Sequence, residues 1–201
     1  MVKNVIFDFG GVLLDWDLRY LFAKLIDDPQ ELDWFLANVI TKEWHFNADK
    51  GTALTEMVAA RCSEFPDHTH LIEAYAARFN ETIPGTIAGT PEIITELAAR
   101  NVPLFGITNF GSEFFAGYRP AQPLFTHFQD IVVSGDEKLH KPDPAIYALA
   151  MRRFGIEPAS AIFIDDNLAN AESAREFGLN THHFTAASSL RSELTRLGLL
   201  G

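Results

Sequence analysis

The sequence predicts an α/β fold: a doubly wound parallel sheet with a small all-helical cap inserted after the first strand. Two observations carry this expectation. Short runs of β-branched and aromatic residues alternate with helical stretches at the spacing of strand–helix–strand units. Between the first such run and the second lies a long segment, Leu18 to about Thr82, with helical periodicity and no strand-like run.

The first strand is Val5-Ile6-Phe7, running into Asp8-Phe9 and then the pair Gly10-Gly11. Apolar residues with β preference that end on one acid fit a buried parallel strand delivering a carboxylate to its carboxyl end. The glycines supply the tight backbone turn that follows. In the insert, Leu21, Phe22, Leu25 and Ile26 fall at helix spacing, as do Leu32, Phe35, Leu36 and Val39. Leu54, Met57, Val58 and Arg61 form a third set, and Leu71, Ile72, Tyr75 and Phe79 a fourth. Asp28-Pro29 and Phe65-Pro66-Asp67 punctuate them, so the insert reads as about four helices.

Thr90-Pro91-Glu92 is a cap followed by proline at the first helical position, opening a helix through Arg100. Val102 to Ile107 reads as the next strand, ending at Thr108-Asn109, and Phe128 to Val133 as the third, ending at Ser134-Gly135-Asp136. A helix from Pro144 to Phe154 is closed by Gly155. Ala161 to Ile164 is the fourth strand, ending at Asp165-Asp166-Asn167. A helix from Leu168 to Phe177 stops at Gly178, Thr181 to Phe184 gives a shorter fifth strand, and a last helix starts near Ser188. Residues 1-15 and 84-201 are therefore expected to form the α/β core domain, and residues 16-83 the cap.

Composition narrows the function classes. With 47% hydrophobic and 21% charged residues over 201 positions, the chain has the make-up of a globular domain with a full core. A net charge of −11 argues against nucleic acid and anionic membrane surfaces as partners, although a local cation can still admit an anionic small molecule. Cys62 is the only cysteine, which excludes a disulfide framework and a thiolate metal site. No signal-peptide pattern opens the chain and no apolar run is long enough to span a bilayer, so the expectation is a cytoplasmic protein.

In a doubly wound sheet the ligand sits beyond the carboxyl ends of the strands. Asp8, Thr108-Asn109, the loop from Asp136 to Lys141, and Asp165-Asp166 are thereby expected to converge. Carboxylates gathered at one sheet edge repel one another unless a cation is present, and Mg2+ suits such a site because it takes one or two carboxylates plus water and substrate phosphate. Lys141, in His140-Lys141-Pro142-Asp143-Pro144, can restrain a carboxylate and neutralise an incoming phosphate. Thr108 and Asn109 offer neutral hydrogen-bond donors to phosphoryl oxygens. An aspartate that attacks phosphorus forms an aspartyl-phosphate, with metal and lysine stabilising the transferring group.

These residues resemble the four motifs of the haloacid dehalogenase-like hydrolase superfamily, in order and over essentially the whole chain. The run Phe7-Asp8-Phe9-Gly10-Gly11-Val12-Leu13 is similar to the first motif and Ile107-Thr108-Asn109 to the second. His140-Lys141-Pro142-Asp143 is similar to the third, and Phe163-Ile164-Asp165-Asp166-Asn167 with Asn170 and Ala171 to the fourth. The helical insert lies where members with a C1-type cap carry theirs. The resemblance implies a Rossmann-like core and a Mg2+-dependent phosphatase of a small phosphorylated metabolite such as a sugar phosphate. It makes Asp8 the nucleophile, Lys141 the family's lysine, and Thr108 and Asn109, with Gly11, the phosphate-binding residues. The metal falls to Asp8, the backbone carbonyl of Gly10, Asp166, and Asp165 as a direct or indirect partner.

One position departs from the family pattern. The usual phosphatase motif has a second aspartate, the general acid and base, two positions after the nucleophile, and here Gly10 stands there. A branch of capped phosphatases, including bacterial enzymes acting on glucose 1-phosphate, resembles this chain in reading Asp-x-Gly. 2-Haloacid dehalogenases also lack the second aspartate, but they do not use Mg2+, and the adjacent acids Asp165-Asp166 argue against that reading. The remaining alternative is a non-catalytic protein that binds a phosphometabolite. Among groups that could supply the missing proton, Asp17 reads as a helix cap, Asp15 as solvated, His45 as a satisfied or surface histidine and His140 as a local hydrogen-bonding partner. His182 and His183 fall on a strand, where neighbours face opposite sides, and do not read as a metal site. Phe110, Phe114, Phe115 and Tyr118 either line the cleft or form a packing surface. Glu92, Glu96, Glu172 and Glu176 read as helical surface charges.

Overall fold

The computed structural model describes residues 1–201. Strand β1 (Asn4–Phe7) is followed by β2 (Leu14–Asp15), then by helices α1 (Arg19–Phe22), α2 (Pro29–Asn38), α3 (Lys42–Asp49), α4 (Leu54–Glu64) and α5 (Thr69–Ala77). The chain returns through β3 (Gly85–Thr86), α6 (Thr90–Ala99) and β4 (Leu104–Thr108) to α7 (Ser112–Tyr118), β5 (Asp130–Val133) and the short α8 (Ser134–Glu137). It finishes with α9 (Pro144–Phe154), β6 (Ala161–Asp165), α10 (Leu168–Phe177), β7 (Asn180–His183) and α11 (Ala187–Arg196).

Five strands form one sheet in the order β5-β4-β1-β6-β7, and every neighbouring pair is parallel. Chain order reverses at β1, the central strand, which places a crevice beyond its carboxyl end. The side chains of β1 alternate between two cores. Val5 and Phe7 join Leu104, Ile131, Ile162 and Ile164 on one face, covered by α6 and α11 through Ile93, Ile94, Leu190 and Leu194. Ile6 joins Phe105, Ile107, Val132 and Phe163 on the other, covered by α9 and α10 through Ile146, Tyr147 and Ala174. Burial on both faces explains why these strands read as continuous apolar runs. Gly106 interrupts one of them for a packing reason: a Cβ there would lie 2.5 Å from Cζ of Phe9, whose ring fills the space.

Local signals set the helix ends. Asp28 accepts from the Gln30 amide at 2.7 Å with Pro29 behind it, Asp143 from the Ala145 amide at 2.8 Å with Pro144 behind it, and Asn167 from the Ala169 amide at 2.9 Å. Asp17 accepts from the Arg19 amide at 2.8 Å, a capping contact at the start of α1. Thr90 departs from its expected role. The residue preceding α6 is Gly89, at φ +88°, while the Thr90 hydroxyl is buried and caps nothing.

Strands β2 and β3 and helices α7 and α3 were not visible in the sequence pattern. Strands β2 and β3 pair antiparallel, Leu14 with Thr86 and Asp15 with Gly85, and tie together the two crossings between core and insert. Helix α7 buries Phe114, Phe115 and Tyr118. Helix α3 makes the insert a set of five α-helices. Its buried positions are His45, Ala48 and Asp49, so an apolar count passes over it. No helix is long and apolar enough to cross a membrane.

Candidate active site

The turn after β1 is held by its own backbone. The Phe9 carbonyl accepts from Leu13 at 2.8 Å and Leu14 at 2.7 Å, and the Gly11 amide donates to the Leu14 carbonyl at 3.0 Å. Gly11 takes φ +70°, and a Cβ on it would sit 2.2 Å from Oδ2 of Asp166, so glycine is what lets the loop of β1 and the loop of β6 meet. Asp8 is thereby fixed at the carboxyl end of β1, with Oδ1 accepting from the Phe9 amide at 2.6 Å.

Lys141 reaches the same point from the segment before α9. Its side chain is fully buried, and Nζ lies 2.8 Å from Oδ2 of Asp8 and 2.7 Å from Oδ2 of Asp165. Asn109, at the end of β4, clasps the lysine's main chain in both directions: Nδ2 donates to the Lys141 carbonyl at 3.0 Å, and Oδ1 accepts from the Lys141 amide at 2.9 Å. Asp165 is buried too, accepting from the Asn167 amide at 2.8 Å and from Asn170 Nδ2 at 3.1 and 3.2 Å. Asp166, one residue on, is exposed. Thr108 is fully buried, and its Oγ1 has no hydrogen-bond partner.

Carboxylate oxygens of Asp8, Asp165 and Asp166 lie within 4.8 Å of one another, with one ammonium among them. Burial pushes the Asp8 carboxyl up to about 7, opposed by Lys141 and reinforced by Asp165. Asp166, although exposed at its surface, is raised as well, by the partial desolvation of its carboxyl and then by Asp165. Burial pulls against the Lys141 ammonium, but Asp165 and Asp8 outweigh it and hold the lysine above its usual range. The donor set is all oxygen, the acids outnumber the cation, and the glycine turn leaves no side chain between Gly11 and Asp166. Those features fit a hard divalent cation such as Mg2+.

At the turn after β1 and the end of β4 opens a cleft of about 80 Å³ bounded by Gly10, Leu14, Trp16, His45, Asp49, Phe79, Ile83, Asn109 and Phe110. A Cβ on Gly10 would meet nothing within 4 Å. Two buried polar atoms in the cleft walls, Trp16 Nε1 and Asp49 Oδ1, have no hydrogen-bond partner. His45 shares its Nδ1 with the Tyr75 hydroxyl at 2.6 Å, and its Nε2 lies 3.7 Å from Asp49 Oδ1. Burial depresses His45 to about 4 and pushes Asp49 up to about 7, against the pull of the Gly111 amide and Lys141.

The structure thus brings Asp8, Gly10, Gly11, Thr108, Asn109, Lys141, Asp165 and Asp166 to one edge of the sheet. His45 is buried in the cleft wall. His140 bonds locally, with Nδ1 3.2 Å from the Lys141 carbonyl. His183 Nε2 pairs with the Asp166 carbonyl at 2.9 Å, whereas His182 turns toward Ser189. Asp15 is half-buried and accepts from the Tyr20 hydroxyl at 2.9 Å rather than being freely solvated. Phe114, Phe115 and Tyr118 pack, with the Phe114 ring stacked on Phe79 at 3.7 Å between centroids, while Phe110 both packs and borders the cleft. Sequence reasoning missed Trp16 and Asp49. Asp49 lies one turn after His45, and that i,i+4 spacing was the available signal.

A family model described as haloacid dehalogenase-like hydrolase matches residues 2–178. The chain is 23% identical, over 98% of its length, to the drimenol cyclase drtB of Aspergillus calidoustus and spans 37% of that longer protein. It is 26% identical to the sesquiterpene phosphatase astK of Aspergillus oryzae, over 97% of this chain and 96% of that one. Identity is 23% to the D-ribitol-5-phosphate phosphatase of Bacteroides thetaiotaomicron, over 97% of this chain and 98% of that one. Among solved structures, the magnesium complex of a HAD family enzyme from Bacteroides thetaiotaomicron has the same fold, with a TM-score of 0.74 at 19% identity over 97% of this chain and 98% of that one.

Proposed function

The chain belongs to the haloacid dehalogenase-like hydrolases, and from that premise we propose that it is a Mg2+-dependent phosphatase of small phosphorylated metabolites, working through an aspartyl-phosphate on Asp8. The observation that carries the reading is the pairing of buried Lys141 with Asp8 and Asp165, 2.8 and 2.7 Å away, beside the third acid Asp166. A carboxylate placed at a strand end and restrained by one ammonium, next to a turn that borders a cleft, is arranged to attack an electrophile. Full-length relatives that are phosphatases of a sesquiterpene and of D-ribitol 5-phosphate support phosphorus as that electrophile.

In this reading Asp8, Asp166, the Gly10 carbonyl, and Asp165 directly or through its neighbours hold Mg2+, which when bound offsets the charge of the acids and of the phosphoryl group. Lys141 orients Asp8 and neutralises the phosphoryl oxygens. Thr108 donates its unpartnered hydroxyl to one of them, and Gly11 leaves the loop amides accessible. Asn109 contributes by fixing the Lys141 main chain as well as by lying beside the phosphate. Residues 16-83 act as the cap: they close one side of the cleft, exclude bulk water and set specificity.

Phosphate release from a panel of sugar, polyol and nucleotide phosphates tests this, with wild type and Asp8→Asn run in parallel, each with and without Mg2+. Release is expected only from the wild type with Mg2+; release by Asp8→Asn would remove the covalent mechanism. Gly10 motivates the alternative of a phosphometabolite-binding protein without turnover, and multiple turnovers by the pure wild type end that reading. Halide release from a 2-haloacid in EDTA would instead favour dehalogenation.

A further inference from the structure

Transfer of a phosphoryl group from an alkyl phosphate leaves an alkoxide, which needs a proton, and the second step needs a group to take a proton from water. The immediate surroundings of Asp8 offer neither. Lys141 is locked between two carboxylates, and Asp165 already accepts from Lys141, Asn167 and Asn170. Gly10 has no side chain, and the space its side chain would enter is open.

On the cleft wall supplied by α3, one carboxyl is buried with an oxygen that bonds to nothing. Asp49 is 6% exposed, its Oδ1 has no partner, and it borders the same cleft as Gly10 and Asn109. Its backbone is pinned, because the fully buried Ser134 donates Oγ–H to the Asp49 carbonyl at 2.6 Å while Oγ accepts from the Phe110 amide at 3.0 Å. The other titratable group in the cleft, His45, has one ring nitrogen committed to Tyr75.

We propose that Asp49 is the catalytic acid and base of this hydrolase, supplied by the cap in place of the side chain that Gly10 lacks. The inference rests on the phosphatase reading above. In the first step an Asp8 oxygen bonds to phosphorus as the bond to the leaving oxygen breaks; that oxygen keeps the electron pair and takes the proton of Asp49. In the second, water bonds to phosphorus and gives one proton to the Asp49 carboxylate. The bond between phosphorus and Asp8 breaks, its electron pair returning to Asp8, and hydrogen phosphate leaves with Asp49 again protonated.

The electrostatics agree. Groups facing the Asp49 carboxyl are His45 Nε2 at 3.7 Å, the Tyr75 hydroxyl behind it, the Gly111 amide and Lys141. Burial depresses His45 to about 4, so it is uncharged near neutrality, and burial outweighs the amide and the lysine to bring Asp49 to about 7. Both protonation states are then populated at neutral pH, as a group that gives and retakes a proton requires.

Leaving-group dependence tests the assignment. With Mg2+ present, kcat/KM for an alkyl phosphate that the wild type hydrolyses is expected to fall about 10²–10⁴-fold in Asp49→Asn. The burst of p-nitrophenolate from p-nitrophenyl phosphate, whose leaving group needs no proton, should keep its rate, with slow steady-state turnover after it. Adding Gly10→Asp, which the open space at that position admits, should restore alkyl phosphate hydrolysis. In the wild type itself, kcat/KM for the alkyl phosphate should decline above pH about 7 while the burst does not. Equal losses for both leaving groups, or a loss confined to KM, would overturn the proposal and make Asp49 a structural or substrate-binding residue. A wild type that hydrolyses no phosphate ester would overturn the phosphatase reading as well, which separates the two failures.

Discussion

Asp49 and Asp8 are both carboxyls whose folded environment disfavours charge, yet they differ in how visible they were. Asp8, Asp165 and Asp166 each follow an apolar strand, and Lys141 precedes a proline-started helix, so position relative to an element gave them away. Asp49 ends a helix that is mostly polar, and its i,i+4 spacing from His45 is the one local signal, which does not mark its carboxyl as buried. Burial there has a stability consequence whose sign is fixed. Below pH about 4 the carboxyl is protonated in folded and unfolded chains alike. Between there and about 7 the folded chain retains the proton that the unfolded chain has lost, so stability falls as pH rises through that window. The slope is at most about 1.4 kcal/mol per pH unit. Asp49→Asn removes that slope. Its Tm relative to wild type should therefore climb from pH 4 to pH 7 and level off above, in thermal melts of the two proteins without substrate. A difference that stays flat with pH would show that the carboxyl is not held protonated by the fold.

At the scale of elements, helix α3 is the piece that joins insert to site, and one hydroxyl carries much of that junction. Ser134, at the start of α8, is fully buried and links the end of α3 to the Phe110 amide. Ser134→Ala leaves the Phe110 amide and the Asp49 carbonyl short of a partner in a dry place, which should cost about 1–3 kcal/mol in denaturant unfolding. It should also slow alkyl phosphate hydrolysis more than the p-nitrophenolate burst, because it loosens Asp49 rather than Asp8. Strands β1, β4, β5 and β6 were legible because strands buried on both faces must be largely apolar, and the helices between them implied a parallel sheet. The edge strand β7 is polar and carried a weaker signal. Helix α3 was not legible, since two of its three buried positions are polar. The two-residue strands β2 and β3 carry too little pattern to be read. Their pairing becomes visible only once the core has brought Leu14 beside Thr86.

For the whole molecule, the parallel sheet and its central strand fix where four separate segments meet, and the sequence order of those segments was enough to anticipate the meeting. What the order could not anticipate is the far wall of the cleft, because the packing of Trp16, His45 and Asp49 against Phe79 and Phe110 is a tertiary outcome of a helical insert. In the proposed phosphatase, the sheet edge would hold the phosphoryl group and its attacking carboxylate, the insert would meet the leaving group, and the phosphoryl group would pass through Asp8. Mixing excess p-nitrophenyl phosphate with the protein and Mg2+, quenching in acid within one turnover, and measuring peptide masses tests this most directly. One phosphoryl group on the peptide that contains Asp8, lost on longer incubation and never formed in Asp8→Asn, is the predicted result. Phosphate release at the same rate with no phosphoryl group on that peptide at any time would contradict it.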